Sequence, residues 1–133
     1  MIRAALIALF ALLGGSALAQ ERITADEFLD IAQGRTLTFH DFKSGYPVGI
    51  EQFLTRKLSV WKETGGQCVY GTITIEEGKL CFKYDHRPDK ACWWPYRDDE
   101  RLFVLFANRL SGEIQEVVEI SDAPVGCPMK PSV

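Results

Sequence analysis

The sequence predicts a mainly β protein: an up-and-down antiparallel meander of about eight strands, preceded by one short N-terminal helix. Three observations carry this. From Thr36 onward apolar and polar residues alternate with a period of two. The alternating runs are separated by short clusters of turn residues. Ahead of them, a single stretch has helical periodicity and a helix-start signature.

The chain of 133 residues opens Met1-Ile2-Arg3, continues with ten apolar residues from Ala4 to Leu13, and passes through Gly14-Gly15-Ser16 to Ala17-Leu18-Ala19. A basic start, a short apolar centre and an Ala-x-Ala exit are the three parts of a secretory signal peptide. The apolar run falls short of the roughly 20 residues a membrane span needs. Residues 1–19 are therefore expected to be a signal peptide cleaved near Ala19, giving a periplasmic or secreted bacterial protein with no membrane anchor. No cysteine follows the cleavage site to take a lipid. The 114 residues that remain suffice for one domain, read as residues 20–122, with a Pro-rich tail at 123–133. They carry 14 Lys+Arg against 18 Asp+Glu, a net charge of −4. The charges are interspersed rather than blocked, so no basic stripe exists to follow nucleic acid or an anionic membrane.

Ile23-Thr24-Ala25-Asp26-Glu27-Phe28 starts the helix. Thr24 and Glu27 have capping-box spacing, with Ile23 and Phe28 at the staple positions. Phe28, Leu29 and Ile31 form a narrow apolar stripe, and Gly34 supplies the stop. Strands are expected at Thr36–Asp41, Val48–Phe53, Lys57–Lys62, Gln67–Ile75, Lys79–Asp85, Lys90–Tyr96, Arg101–Ala107 and Ile114–Ile120. Their links are too short for parallel crossovers, which take a dozen residues or more. Closing such a meander into a barrel removes its edges, whereas an open, strongly twisted sheet with the helix on one side leaves them. The barrel is the favoured of the two.

Val69, Ile73 and Ile75, then Leu80, Phe82 and Tyr84, then Leu102, Val104 and Phe106 mark the inward face. Phe103 and Leu105 are apolar on the opposite side, a patch the helix is expected to cover. The tail, with Pro124, Pro128 and Pro131, cannot be regular structure.

Cys68, Cys81, Cys92 and Cys127 are an even set in an exported chain, which reads as two disulfides. A turn between His86 and Arg87 places Cys81 opposite Cys92 on one face, so these two pair and Cys68–Cys127 anchors the tail. The competing reading, a metal or redox site from Cys81, His86 and Cys92, lacks the closely spaced ligand pairs of zinc sites and the CxxC of a dithiol. No catalytic residues, metal or cofactor are expected, and the chain is read as not an enzyme. His40 and Asp41 point to opposite strand faces, the clustered acids Glu76-Glu77 and Asp98-Asp99-Glu100 lie in turns, and no nucleophile, phosphate-loop or HExxH motif occurs.

Two features remain. Alternation directs either Glu51 or Gln52 toward the core, where a polar group needs a partner: a structural network or a ligand. Trp61, Tyr70, Tyr84, Trp93, Trp94 and Tyr96 fall on consecutive strands, with Trp93 and Trp94 on opposite faces. They serve as core filling or as a binding surface.

The set Gly49-Ile50-Glu51-Gln52-Phe53-Leu54, Gln67-Cys68-x-x-Gly71, Leu80-Cys81-Phe82-Lys83-Tyr84 and Cys92-Trp93 resembles an uncharacterised, lipocalin-like family of small exported alphaproteobacterial proteins. The resemblance covers roughly residues 24 to 106, with Val48 standing where the family would have an aromatic. It implies a small lipocalin-like barrel and supplies no catalytic residue. The function expected is binding of a small apolar ligand by a monomeric periplasmic barrel. The alternative is a secreted inhibitor or envelope accessory protein with a protein partner. The ligand or interface residues expected are Glu51, Arg87, Trp93, Trp94 and Tyr96.

Overall fold

The computed structural model describes residues 21–108 and 110–128; the signal-peptide expectation at 1–19 and the last tail residues lie outside them. After a two-residue strand β1 (Glu21–Arg22) and helix α1 (Ala25–Ala32), the chain forms β2 (Thr36–Asp41), β3 (Pro47–Phe53), β4 (Leu58–Glu63) and β5 (Cys68–Glu76). It continues through β6 (Lys79–Tyr84), β7 (Ala91–Asp98), β8 (Arg101–Phe106) and β9 (Ile114–Ser121). The expected strands are all present, with ends shifted by at most two residues.

Each of β2 to β9 pairs antiparallel with its sequence neighbour, and β9 returns to pair with β2. The eight-stranded ring is closed, not an open sheet. Closure removes both free edges that a meander would expose. β1 is the element the sequence reading missed. It adds to β7 through Arg22↔Tyr96 and Glu21↔Arg97, beyond the three residues of β7 that β6 pairs. Two residues carry no periodicity to read.

The local chemistry of α1 is as expected. Thr24 Oγ1 accepts from the Glu27 N–H at 3.1 Å, and the Glu27 carboxylate accepts from the Thr24 N–H at 3.4 Å. Gly34, at φ +75°, ends the helix and donates its N–H to Phe53 O. Ala25, Phe28, Leu29 and Ala32 are buried at helical spacing. They join Leu37, Phe53, Leu80 and Leu102 in one core cluster. Phe28 meets Phe53 edge-on at 6.0 Å. The helix therefore plugs one end of the barrel.

This corrects the expected role of the helix. The outer patch at Phe103 is covered by the Phe42 ring, 5.5 Å away, and by the Arg101 guanidinium, 5.0 Å from the ring centre. The helix is delivered to the rim by β1 and by the Ile23 N–H, which bonds Pro95 O. There its apolar face closes an end that would otherwise leave Phe53, Leu80 and Leu37 wet, a larger gain than covering one outer ring. Arg56, between β3 and β4, clamps the outer side of α1 through Asp30 and Asp26 at 2.7 and 2.8 Å. That exposed pair of bridges orients the helix rather than stabilising it much.

Both disulfides have the expected pairing. Cys81 and Cys92 are register partners across β6 and β7, with Cα atoms 4.0 Å apart. Cys127 joins Cys68 at 5.8 Å, so the tail is bound back across the outside of the barrel. On its way Ala123 O accepts from Thr36 Oγ1 at 2.7 Å, the Val125 N–H donates to Gln52 Oε1 at 3.1 Å, and Pro128 O accepts from the Tyr70 hydroxyl. Pro124, Gly126 and Cys127 border a depression with Val60, an outward-facing valine left only 2% exposed.

In oxidised protein, a non-reducing peptide map will show 81–92 and 68–127 links and an intact mass four hydrogens below the reduced form. On the chain-entropy relation, replacing Cys68 and Cys127 by serine lowers unfolding free energy by roughly 4 kcal/mol, and the Cys81/Cys92 pair by roughly 3. Urea unfolding of the two double variants checks the order.

Candidate functional site

The end of the barrel opposite α1 stays open. Alternation on six of the eight ring strands sends a residue into it: Phe39 from β2, Glu51 from β3, Trp61 from β4, Tyr84 from β6, Trp93 from β7 and Gln115 from β9. Two glycines let the rings lie flat on the wall. A Cβ at Gly49 would sit 2.5 Å from the Trp61 ring, and one at Gly71 would sit 2.8 Å from the Tyr84 ring. Phe82 stacks on Tyr84 at 5.9 Å, and Trp93 meets Phe106 at 4.9 Å.

These side chains enclose a cavity of about 50 Å³, bounded toward the plugged end by Phe28. Above it opens a cleft of about 400 Å³ that shares Trp61, Tyr84, Trp93 and Gln115 with the cavity. Its rim includes Glu63, His86, Arg87, Pro88, Phe106 and Glu113.

Glu51 is the chemical centre. It is 2% exposed and sits opposite Trp61 in register. The Tyr84 hydroxyl donates to its carboxyl oxygens at 3.0 and 3.2 Å. Burial pushes its pKa up to about 8; hydrogen bonding from Ser59 and Tyr84 opposes this only in part. Ser59 Oγ is itself buried with no well-aligned partner, so a protonated Glu51 has an acceptor close by. Burial, together with the neighbouring Glu51, raises Tyr84 well above the ordinary tyrosine value. No lysine or arginine is among the residues lining the cavity.

Of the residues singled out from the sequence, Glu51 and Trp93 line the cavity and Arg87 stands on its rim. Trp94 and Tyr96 are not part of the site. They face outward under Arg22 of β1, whose guanidinium lies 3.8 Å from the Trp94 ring centre and 5.8 Å from that of Tyr96. Gln52 faces outward to the tail, which settles the alternation in favour of Glu51. Trp61 and Tyr84 were expected only within the aromatic set that fills the core or forms a binding surface, and Gln115 was not expected at the site. Gly71 was the available signal: register sets it opposite Tyr84, where a missing side chain makes room for a ring.

Glu76, Cys81 and Cys92 are the one cluster of metal-ligand type found among the described residues. Both sulfurs are spent in a disulfide, so neither offers a thiolate. Among the described residues no helix is long and apolar enough to cross a membrane. No protein family, curated protein or solved structure matches the chain.

The raised pKa fixes a pH dependence. Between the ordinary glutamate value and about 8, the folded state holds a proton that the unfolded state has lost. Stability therefore falls as pH rises through that window, by about 1.4 kcal/mol per unit, and levels off above it. Paired carboxylates with lowered pKa, such as Glu76 and Glu116, act in the opposite direction only in acid. Urea unfolding at pH 5.5 and 7.5 is expected to show this loss in the wild type and its absence in Glu51→Gln. An equal slope in both proteins would assign the loss to other groups.

Proposed function

We propose that the protein is an exported, periplasmic barrel of lipocalin-like build that binds a small, apolar-bodied ligand at its open end and performs no chemistry on it. The observation that carries this is an aromatic-walled opening, sealed at the far end by α1, with a buried carboxyl inside. Binding sites for small molecules are largely preformed, mostly apolar and supplied with a few placed polar groups. The deep cavity, at about 50 Å³, is too small for an acyl chain. The ligand body therefore lies in the upper cleft, against Trp61 and Trp93, with its polar end directed at Glu51 and Gln115. Export is supported by the signal-like N-terminus and by two disulfides, which persist in oxidising compartments. The reading of a monomer is supported by closure, which leaves little strand edge for another copy to pair with.

The alternative of an inhibitor or envelope accessory protein has less support. Its anchors were Arg87, Trp94 and Tyr96; Arg22 lies over Trp94 and beside Tyr96, leaving both half-buried, and Arg87 belongs to the rim of the opening.

Native mass spectrometry of protein purified from its host is expected to show a bound small mass that is lost on denaturation. Titration with such a ligand will quench tryptophan emission, less in Trp61→Phe and Trp93→Phe than in Trp94→Phe. An unliganded mass, together with no quenching by fatty acids or flat aromatic dyes, would sink the ligand reading.

A further inference from the structure

We infer that the opening is a receptor site for a small primary amine, whose ammonium group sits against the Glu51 carboxylate inside the aromatic cage while its apolar tail fills the upper cleft. This deepens the ligand-binding reading and rests on it.

The geometry supports a cation specifically. Glu51 is a buried carboxyl whose protein contacts are hydroxyls, from Tyr84 and Ser59, and no cationic side chain lines its cavity. No cationic side chain of the protein lines the cavity to pair with this carboxyl, so its ionised form lacks a charge partner there. The faces around it, from Trp61, Tyr84 and Trp93, are the groups that hold ammonium ions by their ring quadrupoles. Size selects among cations. About 50 Å³ takes some three to four water-sized groups. That fits an ammonium on a two- or three-carbon stem and excludes a quaternary head. Above this depth Trp93 and Phe106, 4.9 Å apart and tilted by 56°, offer two aromatic faces against which an aryl tail can pack.

The charged surroundings are compatible. Tyr84 is the other titratable group of the cavity, held protonated. The faces that β2, β7, β8 and α1 present there are Phe39, Trp93, Val104 and Phe28, and β9 presents the neutral Gln115. Glu63 and Glu113 lie on the rim with Asp89, against His86, Arg87 and Lys90. Lys90 is engaged by Glu76 at 3.0 Å. An approaching cation therefore meets a rim of mixed charge and a negative terminus once Glu51 ionises.

That ionisation gives the site a signature. Binding exchanges the carboxyl proton for the ammonium: the O–H bond breaks, the proton leaves to solvent, and carboxylate and ammonium pair. With a free-state pKa of about 8, binding at pH 7 releases about 0.9 proton and at pH 9 about 0.1, while an alkylammonium keeps its own charge up to about pH 10. Affinity is accordingly about tenfold higher at pH 9 than at pH 7.

The test is isothermal titration of the oxidised protein with 2-phenylethylamine and with its neutral isostere 2-phenylethanol, at pH 7 and 9, in phosphate and in Tris. Expected are binding of the amine at least tenfold tighter than the alcohol, with close to one proton released at pH 7 and little at pH 9. Glu51→Gln removes both the preference and the release while its thermal melt stays cooperative. The wild-type comparison of amine with alcohol stands whatever the variant does. Equal affinities, or amine binding without proton release, overturn the inference and leave a neutral-ligand site. No binding of the amine overturns it too. If a co-purified mass is then still seen, the ligand reading survives; if none is seen, both fall.

Discussion

The pairing of β2 with β9 is the contact on which everything else depends. Six register pairs run from Thr36↔Ser121 to Asp41↔Gln115, joining the first and last strands of a meander that otherwise links only neighbours. Without it the sheet would have two long edges, and its inward aromatics would face water. With it, one continuous interior exists and has two ends. The N-terminal segment closes one of them, because β1 and the capping box set α1 down at the rim with its four buried residues facing in. Among the described residues the other end has no such element, so the inward alternation of the strands becomes an opening rather than a core.

An eight-stranded ring is just wide enough to be filled by its own side chains or to admit one small molecule. Here both outcomes occur at different depths. Toward α1 the interior is filled by Phe28, Phe53, Leu80 and Leu102. Toward the mouth the rings lie back on Gly49 and Gly71, and the space they vacate contains the buried carboxyl. The wall that positions Glu51 is thus a matter of where side chains are missing as much as where they are present.

This explains what could be read from the chain. Strands, helix and the 81–92 disulfide depend on local periodicity and hairpin register, and those are printed in the sequence: 81 and 92 are opposite as soon as the turn is placed at 86–87, which leaves 68 to pair with 127. Closure depends on one non-local pairing and was legible only through the need to hide edges. The destination of α1 was not legible, since an amphipathic stripe states that a face must be buried without stating against what. Phe42 and Arg101, which cover Phe103 instead, come from a loop and a strand end that carry no pattern. In the site, Glu51 and Trp93 were reachable because alternation restricts each to one of two faces. Trp94 and Tyr96 face outward as alternation requires, but Arg22 over them was not foreseeable because β1 is only two residues long.

The distribution of stabilising contacts also bears on the site. Both disulfides, the tail with its hydrogen bonds to Thr36, Gln52 and Tyr70, and the Glu76–Lys90 and Arg101–Glu116 ion pairs lie on the outside of the barrel or at its ends. The two cross-links contribute roughly 3 and 4 kcal/mol by chain entropy. The charged form of Glu51 works against the fold by an amount of similar order, given a pKa moved from the ordinary range to about 8. A small domain with a modest core has little margin for such a group. Placing the cross-links outside leaves the inner wall free to hold such a group, and it does so without spending interior volume on the fastening. The tail shows the same division. It crosses β3, β4 and β5 from outside and fastens at Cys68 near the open end, so the strands that carry Glu51 and Trp61 are held from behind while their inner faces stay accessible to the mouth.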